Sequence, residues 1–291
     1  MRNNDERTGA VQQTDSPAPA QAQKGLTNNL SFVAPTEFVE IPSRGKFYAQ
    51  GHPLHGKQTV EIKHMTAKEE DILTSQTLLK KGVALDRFLQ SVLLDKSIDI
   101  STLLVGDKNA LIVAARCTGY GEEYETSLTC PSCMSQVKES LDLAECKEMV
   151  HGYNENDAEE PLPNVSGPSN TGTYMITLPK TNAVFEVKLM DGRDEKVFTK
   201  RMETRKKKKQ GEALMTDQFK TFTVSINGVD IPRQMYAFID NLPVKDSRFL
   251  RTAYNALTPA VNLKHDFACT ECGYEQEVQV PITAQFFWPD A

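Results

Sequence analysis

Two Cys-x-x-Cys pairs are the feature that most limits how this chain can fold. Cys130 and Cys133 stand in SLTCPSCMSQ, and Cys269 and Cys272 stand in DFACTECGYE. Each pair offers two thiolate ligands from one tight turn, whereas a structural zinc ion takes four ligands in a tetrahedron. One pair is therefore half a site. We expect the two pairs to meet at a single structural zinc, although they are far apart in the sequence.

Other roles for the cysteines stay open. A redox dithiol is one, although no thioredoxin-like βαβ pattern surrounds either pair, and a reduced, metal-free state is another. Cys117 and Cys146 have no Cys-x-x-Cys partner. We interpret them as small buried side chains, with an extra metal ligand as the alternative. His265 lies four residues before Cys269 and is interpreted as a strand-surface residue or as a hydrogen-bond partner of the site.

The cellular compartment also favours a metal. The N-terminal sequence MRNNDERTGAVQQTDSPAPAQAQKG has no apolar segment typical of a signal peptide, and no run of about 18 apolar residues predicts a membrane span. We therefore expect a protein that is made and kept in a reducing cytoplasm, without membrane association. Disulfides are rare there, so paired cysteines are more typical of metal sites.

The charge of the chain argues against nucleic acid as a partner. The formal net charge is −6. The dense basic run RMETRKKKKQ, residues 201–210, is the exception. We interpret it as a solvated helix end, where cations suit the helix dipole. A nucleic-acid contact is the alternative, but no aromatic residues are interleaved with the basic ones.

Composition divides the chain into four segments. Residues 1–34 are rich in Asn, Gln, Ser, Pro and Ala and predict an arm that is disordered or ordered only on a partner. Residues 35–150 form a first module with the first cysteine pair. Residues 151–171 are acidic and rich in Asn, Pro and Gly, which predicts a linker. Residues 172–291 form a second module with the second pair and an aromatic C-terminus.

The two modules resemble each other in sequence. TVEIKHMTAKEEDILT, residues 59–74, aligns without gaps on VFEVKLMDGRDEKVFT, residues 184–199. The cysteine pairs align too, at a larger offset, which predicts an insertion within residues 205–234. We interpret the pattern as an internal duplication. An accidental alignment of common helix-start patterns is the alternative. The further matches are Leu103, Asp107, Leu111 and Ala114 on Leu242, Asp246, Leu250 and Ala253.

Alternating apolar residues predict short strands. One strand is expected around residues 38–41 and another at residues 58–64. Two more, at residues 124–130 and 135–143, flank the first cysteine turn and predict a hairpin.

Helices are expected between these strands. Thr66 and Glu69 match a capping box at the start of a helix that runs to Gly82. ALDRFLQSVLLD predicts a second helix. GDKNALIVAARCTGYG predicts a third, capped by Asp107 and ending near Gly119. The expected fold class is α+β, with two similar helix-plus-hairpin modules joined through a zinc-ribbon-like four-cysteine site.

No sequence motif indicates an enzyme. The chain has no Gly-rich phosphate loop, no Gly-x-Ser-x-Gly and no His-Glu-x-x-His. A zinc ion with four cysteine ligands has no open position for a substrate. We therefore expect a non-enzymatic protein.

The C-terminal sequence VPITAQFFWPDA concentrates aromatic area at the chain end. Phe286, Phe287 and Trp288 either cover the chain's own core or bind a partner. The pattern does not separate these two roles.

Several segments together resemble a known family. EIPSRGKFYAQG, MTAKEEDILTSQTLLKKGVALDRFLQSVL, LLVGDKNALIVAARCTGYGEEYETSLTCPSC and the closing CTECG…VPITAQFFWP are similar to the T4-type baseplate protein family of contractile-tailed phages, whose members are baseplate hub subunits. The resemblance covers about residues 36–150 and 216–291. The N-terminal arm, the acidic linker and the lysine run lie outside it.

The resemblance implies a non-enzymatic structural or assembly role in a tail baseplate. It implies partners among hub and wedge proteins and the end of the tail tube, with several copies in a symmetric assembly. It also implies synthesis in the host cytoplasm and a location in the virion. Two other functions remain open. One is a zinc-ribbon protein that binds nucleic acid or acts in transcription, and the other is a transient baseplate assembly chaperone.

Overall fold

The structure is a computed structural model of the 291-residue chain. It describes residues 33–144, 149–156, 158, 160–208, 213–280, 282 and 284–287. Residues 34–291 form one compact unit. Apart from Val33 and Ala34, the predicted N-terminal arm lies outside the described residues.

Short strands alternate with helices in both halves of the chain. The described strands are β1 Thr36–Glu40, β2 Thr59–Lys63, β3 Glu123–Thr129, β4 Gln136–Asp142, β5 Met149–Val150, β6 Val165–Ser166, β7 Thr173–Thr177, β8 Val184–Lys188, β9 Thr223–Ile226, β10 Ala260–Val261, β11 Lys264–Ala268 and β12 Glu275–Gln279. The described helices are α1 Ala67–Thr74, α2 Gln76–Lys80, α3 Ala84–Val92, α4 Val105–Tyr120, α5 Gly192–Lys207, α6 Leu214–Phe222, α7 Pro232–Asp240 and α8 Val244–Leu257.

The described strands pair in small antiparallel sheets. β1 pairs with β2, β3 with β4, β5 with β10 and β11 with β12, while β6, β7, β8 and β9 form a four-stranded sheet in that order. Helices set beside small antiparallel sheets make an α+β fold, as the sequence predicts. No helix in the described part of the chain is long and apolar enough to cross a membrane.

One hydrophobic core runs through both halves of the chain. Its buried residues extend from Val39 on β1 to Phe287 near the end of the described chain. α3 and α4 contribute from the first half, and β7, β8, α6 and α8 contribute from the second. Removal of this shared apolar surface from water holds the two halves together.

The segment predicted as a linker, residues 151–171, is packed where the structure describes it. Tyr153 and Val165 are buried in the core. The Tyr174 hydroxyl donates to the Tyr153 carbonyl at 2.7 Å, and the Leu162 N–H donates to the Tyr153 hydroxyl at 3.2 Å. β6 adds to the edge of β7. The Asn, Pro and Gly residues of this segment therefore form turns between packed residues, and the segment is not a free linker where it is described.

The helix predicted from Thr66 to Gly82 is divided into two. α1 ends at Thr74 and α2 begins at Gln76. Ser75 between them has an extended backbone, with φ −63° and ψ 107°. The apolar pattern alone did not reveal this break, because apolar residues continue on both sides of it, Ile72 and Leu73 before and Leu78 and Leu79 after.

Asp107 does not cap α4, contrary to the prediction. The N-cap is Leu104, and Asp107 lies in the first turn with its side chain buried. Its carboxylate accepts the Ser43 N–H at 2.9 Å, the Ser43 hydroxyl at 2.6 Å and the Tyr48 hydroxyl at 2.7 Å. Asp107 thus ties the loop after β1 to the start of α4. Burial raises the pKa of Asp107, and these donors act in the opposite direction.

The C-terminal aromatic residues belong to the core where they are described. Phe286 and Phe287 are 0% and 1% exposed. Phe286 lies 4.9 Å from Tyr124 between ring centroids, and Phe287 lies 5.0 Å from Phe88. Side chains this deeply buried offer no surface to a partner, so the partner-binding role predicted for them is not carried further. Trp288 lies outside the described residues.

Candidate metal centre

The first cysteine pair sits in the turn between β3 and β4. The Cys130 N–H donates to the Ser135 carbonyl, and the Met134 N–H donates back to the Cys130 carbonyl, both at 2.9 Å. Met134 takes a positive φ of 61° to close the turn. Cys130 is buried, and Cys133 is exposed.

The second pair sits in the turn between β11 and β12 and has the same geometry. The Cys269 N–H donates to the Tyr274 carbonyl, and the Gly273 N–H donates to the Cys269 carbonyl, again at 2.9 Å. Gly273 has a φ of 69°, a conformation that glycine adopts without strain. Cys269 is buried, and Cys272 is exposed.

The two turns meet, and their four sulfur atoms cluster. The Sγ atoms of Cys130, Cys133, Cys269 and Cys272 all lie within 4.8 Å of one another. Two contacts cross between the turns, Cys130 to Cys272 and Cys133 to Cys269, each at 3.7 Å. Sulfur atoms about 2.3 Å from a central zinc lie about 3.8 Å apart in a tetrahedron. The donor set and its spacing therefore fit one zinc ion.

A small separate core supports this cluster. Val137 on β4 and Phe267 on β11 are buried together with Cys130 and Cys269. Leu128 and Val278 pack at its edge. This apolar layer covers one side of the sulfur cluster and holds the two hairpins against each other.

Ser135 favours the thiolate form of two cysteines. Its hydroxyl lies 2.8 Å from Cys133 Sγ and 3.6 Å from Cys269 Sγ. The hydrogen bond from Ser135 lowers the pKa of Cys133. Burial raises the pKa of Cys269, but the Ser135 hydroxyl and the N–H groups of Cys272 and Glu271 outweigh it and lower the pKa to about 6. The thiolate is the form that binds metal.

Cys272 behaves differently. The Tyr274 N–H lowers the pKa of Cys272, but desolvation of the thiol and the three neighbouring sulfur atoms raise it to about 12. Without a cation this thiol keeps its proton. A bound divalent cation favours deprotonation of every ligand thiol, so metal binding here releases protons.

The other sequence candidates lie outside this cluster. Cys117 is on α4, partly buried, and is not one of the four clustered cysteines. Cys146 lies outside the described residues. His265 is on β11, and its Nε2 atom lies 3.9 Å from the carboxylate of Glu139 on β4. Ser135 is the contributor that sequence reasoning missed. Its only signal was a hydroxyl two residues after Cys133.

The basic run is partly engaged with its own fold. Arg205 on α5 pairs with Asp217 on α6, and Arg201 donates to the Tyr236 hydroxyl on α7 at 2.8 Å. Residues 206–208 are exposed. Lys209 and Gln210 lie outside the described residues. The described part of the run is a helix end, which agrees with the first of its two interpretations.

Comparison with known protein families gives a match over most of the chain. A family model described as T4 bacteriophage base plate protein matches residues 36–288, a range that contains both cysteine pairs. No curated protein and no solved structure gives a significant match. The match covers most of the chain. The chain therefore belongs to the T4 bacteriophage base plate protein family.

Proposed function

We propose that this protein is a non-enzymatic structural component of a contractile phage tail baseplate, in the hub or at the connection between hub and wedge. The observation that carries the proposal is the family match over residues 36–288. The clustered cysteines add a means of making the subunit rigid, because a metal held there would join one hairpin from each half of the chain.

The metal we propose is one structural zinc ion. Cys130, Cys133, Cys269 and Cys272 would hold it, and four thiolates leave no position for water or substrate. The bound ion would supply a cross-link and no reaction step. Because it would close a loop of well over a hundred residues, it would remove much of the conformational freedom of the unfolded chain.

We further propose that the two halves arose by internal duplication, and the strand-to-helix junctions support this. At the start of α1, Lys63 Nζ lies 2.7 Å from the carboxylate of Glu69. At the start of α5, Lys188 Nζ lies 2.7 Å from the carboxylate of Asp194. Both pairs join the last residue of a strand to the third residue of the following helix.

The strand pairing that precedes these junctions also repeats. Thr36 lies opposite Lys63 in β1–β2, and Thr173 lies opposite Lys188 in β7–β8. In each hairpin the threonine hydroxyl donates to a glutamate on the partner strand, at 2.8 Å to Glu61 and at 3.0 Å to Glu186. β1 therefore corresponds to β7, and β2 to β8. This repeat was not visible in the sequence of β1 and β7.

The proposed partners follow from the family. They are other baseplate proteins of the hub and wedge and the end of the tail tube, with this subunit present in several copies. Synthesis in the host cytoplasm and retention in the virion complete the proposal. The pairing of Arg205 with Asp217 removes one cation from the basic run, which weakens the case for a nucleic-acid partner.

The experiment is quantitative mass spectrometry of tails and virions purified from infected cells. We expect this chain at a fixed ratio to the other baseplate proteins, retained after a high-salt wash that strips loosely bound proteins. The chain's absence from finished virions, with presence in assembly intermediates, would contradict the structural role and favour an assembly chaperone. Strong salt-dependent binding of the purified chain to DNA or RNA would favour the nucleic-acid function instead.

A further inference from the structure

Among the described strands, β1 has a partner on one edge only. That partner is β2. Pro35 and Ile41, at its two ends, form hydrogen bonds with the strand opposite. Because hydrogen-bonded and non-hydrogen-bonded pairs alternate in antiparallel sheets, the N–H and C=O groups of Thr36, Phe38 and Glu40 point away from β2. An extended segment could use all of these groups.

The corresponding edge in the second half is covered. β6 pairs with the outer edge of β7, with Val165 opposite Ile176. The Thr177 N–H donates to the Asn164 carbonyl at 2.9 Å. The side chain of Val165 is buried against the core. The short sequence Asn-Val-Ser, residues 164–166, is thus enough to cover this edge.

An apolar groove lies beside the free edge of β1. It has a volume of about 400 Å³ and lies between β1, α4 and the paired strands β5 and β10. Val39, Val113, Ala114, Met149 and Val261 line it. A groove of this size holds the side chains of a short peptide.

Phe38 stands at the lip of this groove. It lines the groove, and 72% of its surface is exposed. An exposed aromatic residue on a free strand edge exposes a protein to uncontrolled strand pairing unless a partner covers it. The groove, the free edge and Phe38 together fit an extended segment with an apolar side chain at its centre.

We propose that the N-terminal segment of a second copy adds to the free edge of β1, with Asn29, Leu30 and Ser31 placed as Asn164, Val165 and Ser166 are placed on β7. The triplet Asn-Leu-Ser repeats the polar-apolar-polar order of Asn-Val-Ser, and Leu30 would enter the groove. Strand addition of this kind obtains affinity from main-chain hydrogen bonds and specificity from alternate side chains.

The chain entering β1 favours a second copy as the donor. Leu30 could face Val39 on its own strand only through a two-residue turn at Ala34 and Pro35. The favoured turns of this length have a positive φ, and neither of these two described residues has one. The Pro35 carbonyl is already bonded to the His64 N–H at 2.8 Å, in line with β1. A head-to-tail contact between copies would build a ring or a row of subunits.

The test uses a labelled peptide of residues 24–33 and a chain of residues 33–291, which keeps every described residue of the hydrophobic core. We expect saturable one-to-one binding in a fluorescence anisotropy titration. Phe38→Pro removes an N–H from the free edge without touching the bonds to β2, and proline is tolerated at such positions. It should weaken binding about tenfold, the equivalent of roughly one hydrogen bond.

Matched controls separate docking from damage to the fold. Phe38→Ala keeps the edge N–H and should weaken binding less than Phe38→Pro. A Leu30→Asp peptide should lose binding, whereas an Asn28→Asp peptide with the same charge change should keep it. Thermal unfolding and circular dichroism should show that both Phe38 variants fold like the parent.

Sedimentation of the full chain then identifies the donor. We expect self-association that rises with concentration across the micromolar range and is abolished by Leu30→Asp. No binding of the peptide, or equal binding to the Phe38→Pro variant, would overturn the docking site. A full chain that stays monomeric would overturn the second copy as the occupant. The inference goes beyond the baseplate function and does not use the metal, so neither failure would bear on those proposals.

Discussion

Replacing Glu69 with glutamine should destabilise the fold by an amount that depends on pH. Glu69 is the third residue of α1, and its side chain is 0% exposed. The carboxylate accepts hydrogen bonds from Lys63 Nζ at 2.7 Å, from the Ser91 hydroxyl at 2.5 Å and from the Thr66 N–H at 3.1 Å. These bonds join β2, α1 and α3 at one point in the first half of the chain.

The magnitude follows from the pKa of Glu69. Burial raises it, but the hydrogen bonds from Lys63, Ser91 and Thr66 outweigh burial and lower the pKa from 4.5 to about 2. Because the folded pKa is the lower one, the carboxylate stabilises the fold fully above pH 4.5. That stabilisation is lost as the pH falls through 4.5 towards 2. The shift corresponds to a contribution to the free energy of unfolding of about 3 kcal/mol at pH 7 and about 2 kcal/mol at pH 3.5.

The assay is urea unfolding of the parent and Glu69→Gln at pH 7 and pH 3.5, with the ionic strength held constant. The difference between the two proteins at each pH removes the contribution of other titrating groups. Glu70→Gln is the control, because Glu70 is exposed in the same helical turn and should change the unfolding free energy by less than about 0.5 kcal/mol. A Glu69→Gln effect below about 1 kcal/mol at pH 7, or one that does not shrink at pH 3.5, would show that these hydrogen bonds do not stabilise the Glu69 carboxylate in the fold.

Two further substitutions test the packing and the metal centre. Gly106→Ala would place a Cβ atom 2.0 Å from the Pro259 carbonyl oxygen, so we expect a loss of about 3 kcal/mol in urea unfolding. A gain, as alanine usually gives inside a helix, would show that the two backbones are not in contact. Cys133→Ser should release bound zinc at a much lower chelator concentration and cost at least about 3 kcal/mol, whereas Cys117→Ser should change zinc retention little. Equal zinc retention in both variants would remove Cys133 from the site.

The features of the fold that the sequence predicted correctly are local ones. The capping-box pattern at Thr66 and Glu69 predicted the start of α1, and the Thr66 N–H does donate to the Glu69 carboxylate. The hairpin around Cys130 also formed where alternation placed it. These features depend on residues close in sequence, so their patterns are short and complete.

The features that the sequence did not predict depend on contacts between residues far apart in the chain. Asp107 had the pattern of a helix cap, but its carboxylate accepts a hydrogen bond from Ser43, which lies 64 residues away in the sequence. The polar segment after residue 150 had the composition of a linker, yet Tyr153 and Val165 enter the core. A composition rich in turn residues does not tell a free spacer from packed turns, because both use the same residue types.

The candidate metal centre was the exception among long-range features. The two Cys-x-x-Cys motifs led us to predict that the two pairs meet, and their four sulfur atoms do lie within 4.8 Å of one another. This prediction was possible because a structural zinc ion takes four ligands and one Cys-x-x-Cys pair supplies only two of them. The support from Ser135, Val137 and Phe267 was not predicted, because closeness to a cysteine in sequence does not tell which side chains of a hairpin face the sulfur cluster.

The shared four-cysteine site is tested by the metal content of the natively purified chain, measured together with thiol accessibility. We predict about one zinc ion per chain, with Cys130, Cys133, Cys269 and Cys272 protected from thiol reagents until a chelator is added. Mass mapping of the labelled cysteines identifies which four are protected. A chain without metal and with all four thiols freely reactive, or one with two zinc ions, would contradict a single shared site.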